Sequence, residues 1–488
     1  YISHRSNESP NTSAINLLNK YLLPAMKEVG IEFGHGELIL PFVLQSAEIM
    51  KTATSHLQQY LDQNTAISKG KIVLATVYGD VHDIGKNLVK TILANNGFEV
   101  IDLGKQVPAE EIIKQAQANH ADAIGLSALL VNTSQQMPIV INKLYQRGMD
   151  VPVLIGGAAV NASFAGQIVK VNGSNFYQAG VYFCADAFDA LNTLQELKKG
   201  GSETKINKLA AHSSTTKKTA SPLIGKIKIK NISHNKVPIP PFWGAKVLRE
   251  IAINDLLPFL NKKALFRFSW GAKNALGEKW QQLKIEFEKR FTSMLEDAGK
   301  NGWLLPKAAY GYWPAQSDGN AIVIYDSRFP NSGEEIARLP LPRQPNKKHL
   351  CLADYFLPQS SKNKDVIAFQ VVTTGKEVTN HIRDLNIAEN FVEAFYAHGL
   401  AVQMAEASAE YIHNRIRAEL KLQPKQGKRY SWGYEPIPDL SQHKIIFELL
   451  PAEKELGMQL TSAYQLIPEY STAAMVVHHM QAKYFTLH

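Results

Sequence analysis

Cysteine is nearly absent from this sequence. The two that occur among 488 residues, Cys184 and Cys351, stand far apart. That excludes a disulfide framework and a cysteine-rich zinc site, and it fits a reducing compartment. Long apolar runs are also missing: nowhere do 18 or more apolar residues follow one another, so no membrane helix and no membrane partner are expected. There is no zinc-finger spacing and no RNP-like aromatic motif, which argues against nucleic acid as a partner. No internal repeat or heptad run is evident, and no signal-peptide pattern follows the first residue, Tyr1. A chain starting on Tyr rather than Met is expected to be a fragment or processed form, and its expected location is the cytoplasm.

What remains is the composition of a soluble globular protein, 45% hydrophobic and 20% charged. At roughly 100 to 200 residues per domain, the length suggests two to four domains. The formal net charge of +9 has two readings: a basic linker, or attraction to an acidic partner.

The hydrophobic pattern changes along the chain. Residues 13–62 carry apolar residues at helical spacing, as in "AINLLNKYLLPAMKEVGIEFG" and "LILPFVLQSAEIMKTATSHLQQYL". From residue 71 the pattern becomes short Val/Ile/Leu-rich runs: "KIVLATV", "FEVIDLG", "DAIGLSALL", "VPVLIGGAA" and "FYQAGVYF". Helix-like stretches at 86–96, 109–119 and 134–147 lie between them. This alternation predicts a doubly wound α/β domain whose parallel sheet binds ligands outside the carboxyl ends of its strands. Residues 196–235 are rich in Lys, Ser and Thr and read as a flexible basic linker. From "VPIPPFWG" at 237–244 onward, long helices, notably 387–420, mix with strands such as "NAIVIY", "VIAFQVVTT" and "TAAMVVHH", which predicts one α+β domain.

The stretch "YGDVHDIGKNLV" sits where the first predicted strand gives way to a helix. A neutral imidazole such as that of His82 suits a transition metal. Asp80, two residues earlier, can accept a hydrogen bond from the other ring nitrogen and fix the tautomer. Gly85 leaves room for a bulky ligand. A lone Asp-x-His also fits a helix cap followed by an ordinary loop histidine. Two further predicted strand exits strengthen the ligand reading: one supplies Ser127 and Thr133, the other the pair Gly156 and Gly157.

"DVHDIGKN", with Ser127 and the glycine pair, resembles the cobalamin-binding domain of cobalamin-dependent methionine synthases. The Asp-x-His-x-x-Gly pattern is shared with other corrinoid proteins, so alone it implies cobalamin rather than a reaction. The resemblance implies that His82 is the lower ligand of cobalt, with Asp80 its hydrogen-bond partner. Thr133 aligns with the serine that completes the family's relay, and Ser127 and Leu129 would line the nucleotide tail. Val131 stands where a threonine is common. "EFGHGELILPFVLQSAEIMK" resembles the family's helical cap, shortened here, with Phe33, Leu40 and Val43 at the positions that shield the methyl of methylcobalamin. Such an apolar lid would keep water from a reactive cobalt–carbon bond.

"NKKALFRFSWGAK", "HLCLADYF", "HGLAVQMAEASAEYIHNRIRAEL", "GKRYSWGYEPIPD" and "QAKYF" resemble, in the same order, the family's reactivation domain, which binds S-adenosylmethionine. That places Glu406, Arg429, Ser431, Gly433, Tyr434 and Tyr484 at ligand-contacting positions. An arginine can pair with the ligand's carboxylate, and tyrosines can form aromatic walls. Two departures imply altered affinity. Lys262 stands where some members have an acidic contact, and the short "KLQPKQ" replaces a segment holding another. The adjacent pair His478–His479 does not read as a metal site, because neighbouring strand residues point to opposite faces.

The expected organisation is therefore multidomain: a partial helical-bundle cap at 1–66, a doubly wound cobalamin domain at 67–199, a basic linker at 200–235 and an α+β reactivation domain at 236–488. The resemblance implies a methyltransferase fragment that carries methylcobalamin between methyltetrahydrofolate and homocysteine, with S-adenosylmethionine as reactivating methyl donor. It further implies a flavodoxin-like or other flavoprotein electron donor. The folate and homocysteine modules, on the same chain or a separate subunit, would be needed too, zinc being expected only in the homocysteine module. Two alternatives remain open: a cobalamin-binding sensor, and a corrinoid carrier serving a separate methyltransferase.

Overall fold

The computed structural model describes residues 10–34, 38–60, 69–129, 131–171, 175–198, 236–330, 333–345, 348–388 and 390–487. The chain divides into two compact units, Tyr1–Ser221 and Pro222–His488. The division falls inside the Lys/Ser/Thr-rich stretch, and residues 200–235 lie outside the described residues. Among those described, no helix is long and apolar enough to cross a membrane.

The first unit begins with α1 (Pro10–Leu17), α2 (Leu23–Gly34) and α3 (Leu40–Gln58). Pro41 sits in the first turn of α3, where its missing N–H removes no helical hydrogen bond. A sheet follows, built from β1 (Lys71–Thr76), β2 (Glu99–Asp102), β3 (Ala123–Ser127), β4 (Val153–Gly156) and β5 (Val181–Phe183). Every pairing is parallel, in the order β2-β1-β3-β4-β5. Four helices, α4 (Ile84–Asn95), α5 (Ala109–Ala118), α6 (Gln136–Gln146) and α8 (Ala187–Lys198), alternate with the strands, together with the shorter α7 (Ala162–Ile168).

The apolar strand runs are continuous because both sheet faces are covered. One face packs on α5 and α6. The latter buries Met137, Val140, Ile141 and Leu144, spaced to share one helical stripe. Each such side chain contributes about 1.5–3 kcal/mol when fully buried. The other face joins Ile72, Leu74 and Leu154 to Ile92 of α4 and Leu191 of α8, and also to Val43 and Ala47 of α3. The N-terminal helices thus share a core with the sheet. The order reverses between β1 and β3, so the connections that leave their carboxyl ends run in opposite directions, the place where a doubly wound fold puts its ligand.

The second unit is an antiparallel sheet of seven strands: β6 (Gly244–Leu248), β7 (Lys307–Asp318), β8 (Ala321–Tyr325), β9 (Glu335–Pro340), β10 (Asp365–Thr373), β11 (Lys428–Ser431) and β12 (Ser471–Val477). The order is β9-β8-β7-β10-β12-β11, with β6 beside β7. Helices α9 (Gly277–Asn301), α10 (Lys376–Ile387) and α11 (Phe391–Glu419) accompany it. The longest strand, β7, contains Gly311 and Pro314, residue types that are unfavourable in a strand interior. Both are explained by its neighbours. β6 pairs as far as Tyr312 and β8 starts at Ala315, so Pro314 falls in the gap between them. Gly311 faces Gly244, whose carbonyl oxygen would lie 2.0 Å from an added Cβ.

That contact yields a paired prediction. Gly311→Ala should cost the second unit about 1–3 kcal/mol, the usual cost of overpacking. Gly299→Ala in α9, where an added Cβ meets nothing within 4 Å, should stabilise it by about 0.5–1 kcal/mol. Denaturant unfolding checks both, and a neutral Gly311→Ala would contradict the close approach of β6.

Candidate functional site

The carboxyl end of β1 runs through Val77–Asp83 into α4. Within that turn the Asp80 side chain is 0% exposed. Its Oδ1 accepts from His82 Nδ1 at 2.7 Å and from the His82 backbone N–H at 3.0 Å. Its Oδ2 accepts from Thr133 Oγ1 at 2.5 Å and from the Leu129 backbone N–H at 2.8 Å. Four donors on one buried carboxylate leave it no free lone pair toward the protein.

Burial alone would raise the Asp80 pKa. The hydrogen bonds from His82 and Thr133 outweigh it and hold the carboxyl at about 2. Asp80 is therefore ionised at neutral pH. An ionised carboxylate only accepts, so His82 Nδ1 carries the proton and donates it, leaving Nε2 with the lone pair. The His82 side chain is 31% exposed, enough to face a ligand while anchored from behind. A neutral imidazole held this way is a ready metal ligand of raised basicity.

Behind the turn lies a cavity of about 410 Å³, running between the strand ends and helices α4 and α8. Gly85, Ser127, Gly156 and Gly157 line it, together with Lys86 and Cys184. Two of the glycines have physical reasons. A Cβ on Gly85 would meet nothing within 4 Å, so this surface stands open. Gly157 has φ +113°, and a Cβ there would come within 2.2 Å of the Ala128 carbonyl oxygen. Lining of this kind suits an elongated, mostly apolar group with a few polar atoms.

The expected residues do not all fall in place. Asp80, His82 and Thr133 form one hydrogen-bonded cluster, and Gly85, Ser127, Gly156 and Gly157 line the cavity. Leu129 does not line the cavity: it sits beyond the end of β3, its side chain is 40% exposed, and it contributes its backbone N–H to Asp80. Val43 is wholly buried against the sheet-facing core. The side chains of Phe33, Leu40 and Val131 lie outside the described residues. Sequence reasoning missed Lys86 and Cys184. The position of Lys86 directly after Gly85 was the one available signal.

A second cluster stands in the other unit. Arg429 on the edge strand β11 donates from Nη2 to Glu406 Oε2 on α11 at 2.9 Å. Its Nη1 is buried without a partner, a donor waiting for an acceptor. Ser431 ends β11, and Gly433 follows in a tight turn, φ +87°, donating its N–H to the Ile437 carbonyl at 2.9 Å. Tyr434 and Tyr484 are 69% and 65% exposed, aromatic faces left open beside the cluster's strand and C-terminal segment. Glu410, one turn on from Glu406, was missed. A hydrogen bond from His413 holds its carboxyl below the usual range. Lys262 is held by Glu288 of α9 at 2.8 Å and lies over the Phe291 ring.

His478 and His479 follow the end of β12 and diverge there. His478 Nε2 meets Asp365 at 2.5 Å, whereas the His479 ring packs on Tyr355. Among the described residues, no three His, Cys, Asp or Glu side chains gather to hold a metal ion.

Comparison with known proteins adds independent findings. The family model described as "Vitamin B12 dependent methionine synthase, activation domain" matches residues 278–488. Two models described as "B12 binding domain" match residues 70–171 and 6–58. The methionine synthase of Mycobacterium leprae is 34% identical over 96% of this chain and 43% of its own length. That of Mycobacterium tuberculosis is 34% identical over 97% of this chain and 44% of its own. The chain thus spans less than half the length of these relatives. A crystal structure of the MetH reactivation domain bound to AdoHcy aligns with 26% identity and a TM-score of 0.46, covering 52% of this chain and 84% of that one.

The Asp80 environment has a consequence at low pH. Its folded pKa lies below the ordinary value near 4, so its stabilising contribution is complete above about pH 4 and is lost as pH falls toward 2. Asp80→Asn should remove this dependence. Between pH 4 and 2 its melting temperature should fall less steeply than that of the wild type, and equal slopes would contradict the assigned hydrogen bonds.

Proposed function

The chain belongs to the cobalamin-dependent methionine synthase family, and from that premise we propose that it carries cobalamin on His82 and serves its reactivation by S-adenosylmethionine. The observation that supports this most directly is the pairing of Asp80 with His82 in the turn that leads from β1 into α4, whose Gly85 lines the cavity. The pairing leaves one imidazole nitrogen free and aimed away from the anchoring carboxylate. The residues present fit the cofactor. His82 Nε2 offers a ligand to cobalt, and the glycine-lined cavity offers space for an elongated tail.

Bound there, cobalamin supplies a cobalt centre able to take up and give away a methyl group. The chain's own residues do the rest. Asp80 holds the proton-bearing Nδ1 and orients the ring so that Nε2 faces away from it. Thr133 and the Leu129 N–H hold Asp80 in turn.

In the second unit, the unpartnered Nη1 of Arg429 suits the carboxylate of S-adenosylmethionine. Glu406 suits a cationic part of the same ligand, and Tyr434 and Tyr484 offer aromatic walls. Methyl transfer from methyltetrahydrofolate to homocysteine would require the partner modules of the whole enzyme. A net charge of +9 favours an acidic, flavodoxin-like electron donor.

Loading the chain with cob(II)alamin and adding a reductant and methyl-labelled S-adenosylmethionine should place the label on protein-bound cobalamin. Binding with no label transferred would return the molecule to a sensor or carrier role. Arg429→Met should weaken S-adenosylmethionine binding about 10- to 100-fold by calorimetry, as loss of a charged hydrogen bond usually does. Unchanged affinity would place the ligand elsewhere.

A further inference from the structure

Lys86 is a charged residue in an unusual place. It lines the cavity, yet it is only 3% exposed. A buried ammonium costs several kcal/mol in desolvation unless it is well paired, and an apolar side chain would line the cavity without that cost. The pairing is therefore informative. Lys86 Nζ donates to Asp102 Oδ1 at 2.5 Å and to Asn87 Oδ1 at 2.7 Å. Asp102 ends β2, the strand on the far side of β1 from Thr133.

Asp102 also gathers Lys90 Nζ at 3.3 Å and the Gly104 backbone N–H at 3.0 Å. The Gly104 carbonyl accepts from the Thr76 N–H at 3.0 Å. Thr76 Oγ1 in turn reaches the carbonyl of His82 itself at 3.5 Å. A continuous run of polar contacts thus leads from the first turn of α4, through the end of β2, back to the His82 backbone. Asp80 ties the same turn to the β3 side through Leu129 and Thr133. The His82 loop lies between the two ties, and only the one through Asp80 touches its ring.

We infer that Lys86 and Asp102 form a positioning pair for His82. Their buried ion pair fixes the start of α4 and the β1 exit so that the imidazole stays within reach of cobalt. The inference rests on the cobalamin reading and extends it to residues that need not touch the cofactor's metal.

The test compares wild type, Lys86→Met, Lys86→Arg and His82→Gly, each loaded with cob(II)alamin. Two readouts are taken: the dissociation constant, and the nitrogen splitting in the electron paramagnetic resonance spectrum that reports an axial imidazole. Lys86→Met leaves Asp102 with Lys90 and the Gly104 N–H, so its melting temperature should stay within a few degrees of wild type. It should nonetheless bind cobalamin roughly 10- to 100-fold more weakly, as outer partners of metal ligands usually do, and lose part of the nitrogen splitting. Lys86→Arg, which keeps the charge, should retain most of both. Should Lys86→Met fail to fold, Asp102→Asn weakens the pair from the other side and should shift both readouts the same way. Wild-type affinity and full splitting in the charge-removing variants would overturn the positioning role alone. A wild type without nitrogen splitting would overturn it together with the assignment of His82 as ligand.

Discussion

A single carboxylate holds the proposed cofactor site together. Asp80 is fully buried and would be costly there as a charge, yet four donors from three chain segments converge on it. Those bonds more than offset desolvation and keep it anionic. The anion then dictates the tautomer of His82, and the tautomer dictates which nitrogen is left for a metal. The cavity and its glycines leave space at the neighbouring strand exits, and Asp80 leaves the second imidazole nitrogen of His82 facing away from it.

The two units solve a similar problem with opposite charges. In the first, a buried anion orients a neutral base. In the second, a largely buried cation, Arg429, is half satisfied by Glu406 and keeps one donor free. Each places its charged group at a sheet position that leaves one side open: a parallel strand exit at a reversal of order in one case, an edge strand in the other. At these positions nearby chain segments satisfy the charge, wholly at Asp80 and in part at Arg429.

Much of this was legible beforehand. The five apolar runs became the five parallel strands, because strands covered on both faces must be apolar throughout. The Asp-x-His spacing, the paired glycines and Thr133 could be picked out because they fall together at three predicted strand exits and share a family resemblance, although each alone has ordinary structural uses. What escaped was set by contacts distant in sequence. Leu129 acts through its backbone, which no side-chain pattern reveals. β7 tolerates Gly311 and Pro314 because its neighbours approach closely at one and leave a gap at the other. Lys86 reads as an ordinary helix-surface lysine until Asp102, sixteen residues on, is brought against it.

By itself, then, the sequence determined the class of each unit, the order of its elements and the chemical types in the turn that carries Asp80 and His82. These depend on local periodicity and on residues close together in the chain. The tertiary structure alone decided which donors reach Asp80, where Lys86 puts its charge and which nitrogen of Arg429 remains free. Those outcomes depend on where strand ends meet in space, and hydrogen bonds are decided over a few tenths of an ångström that no spacing of letters encodes.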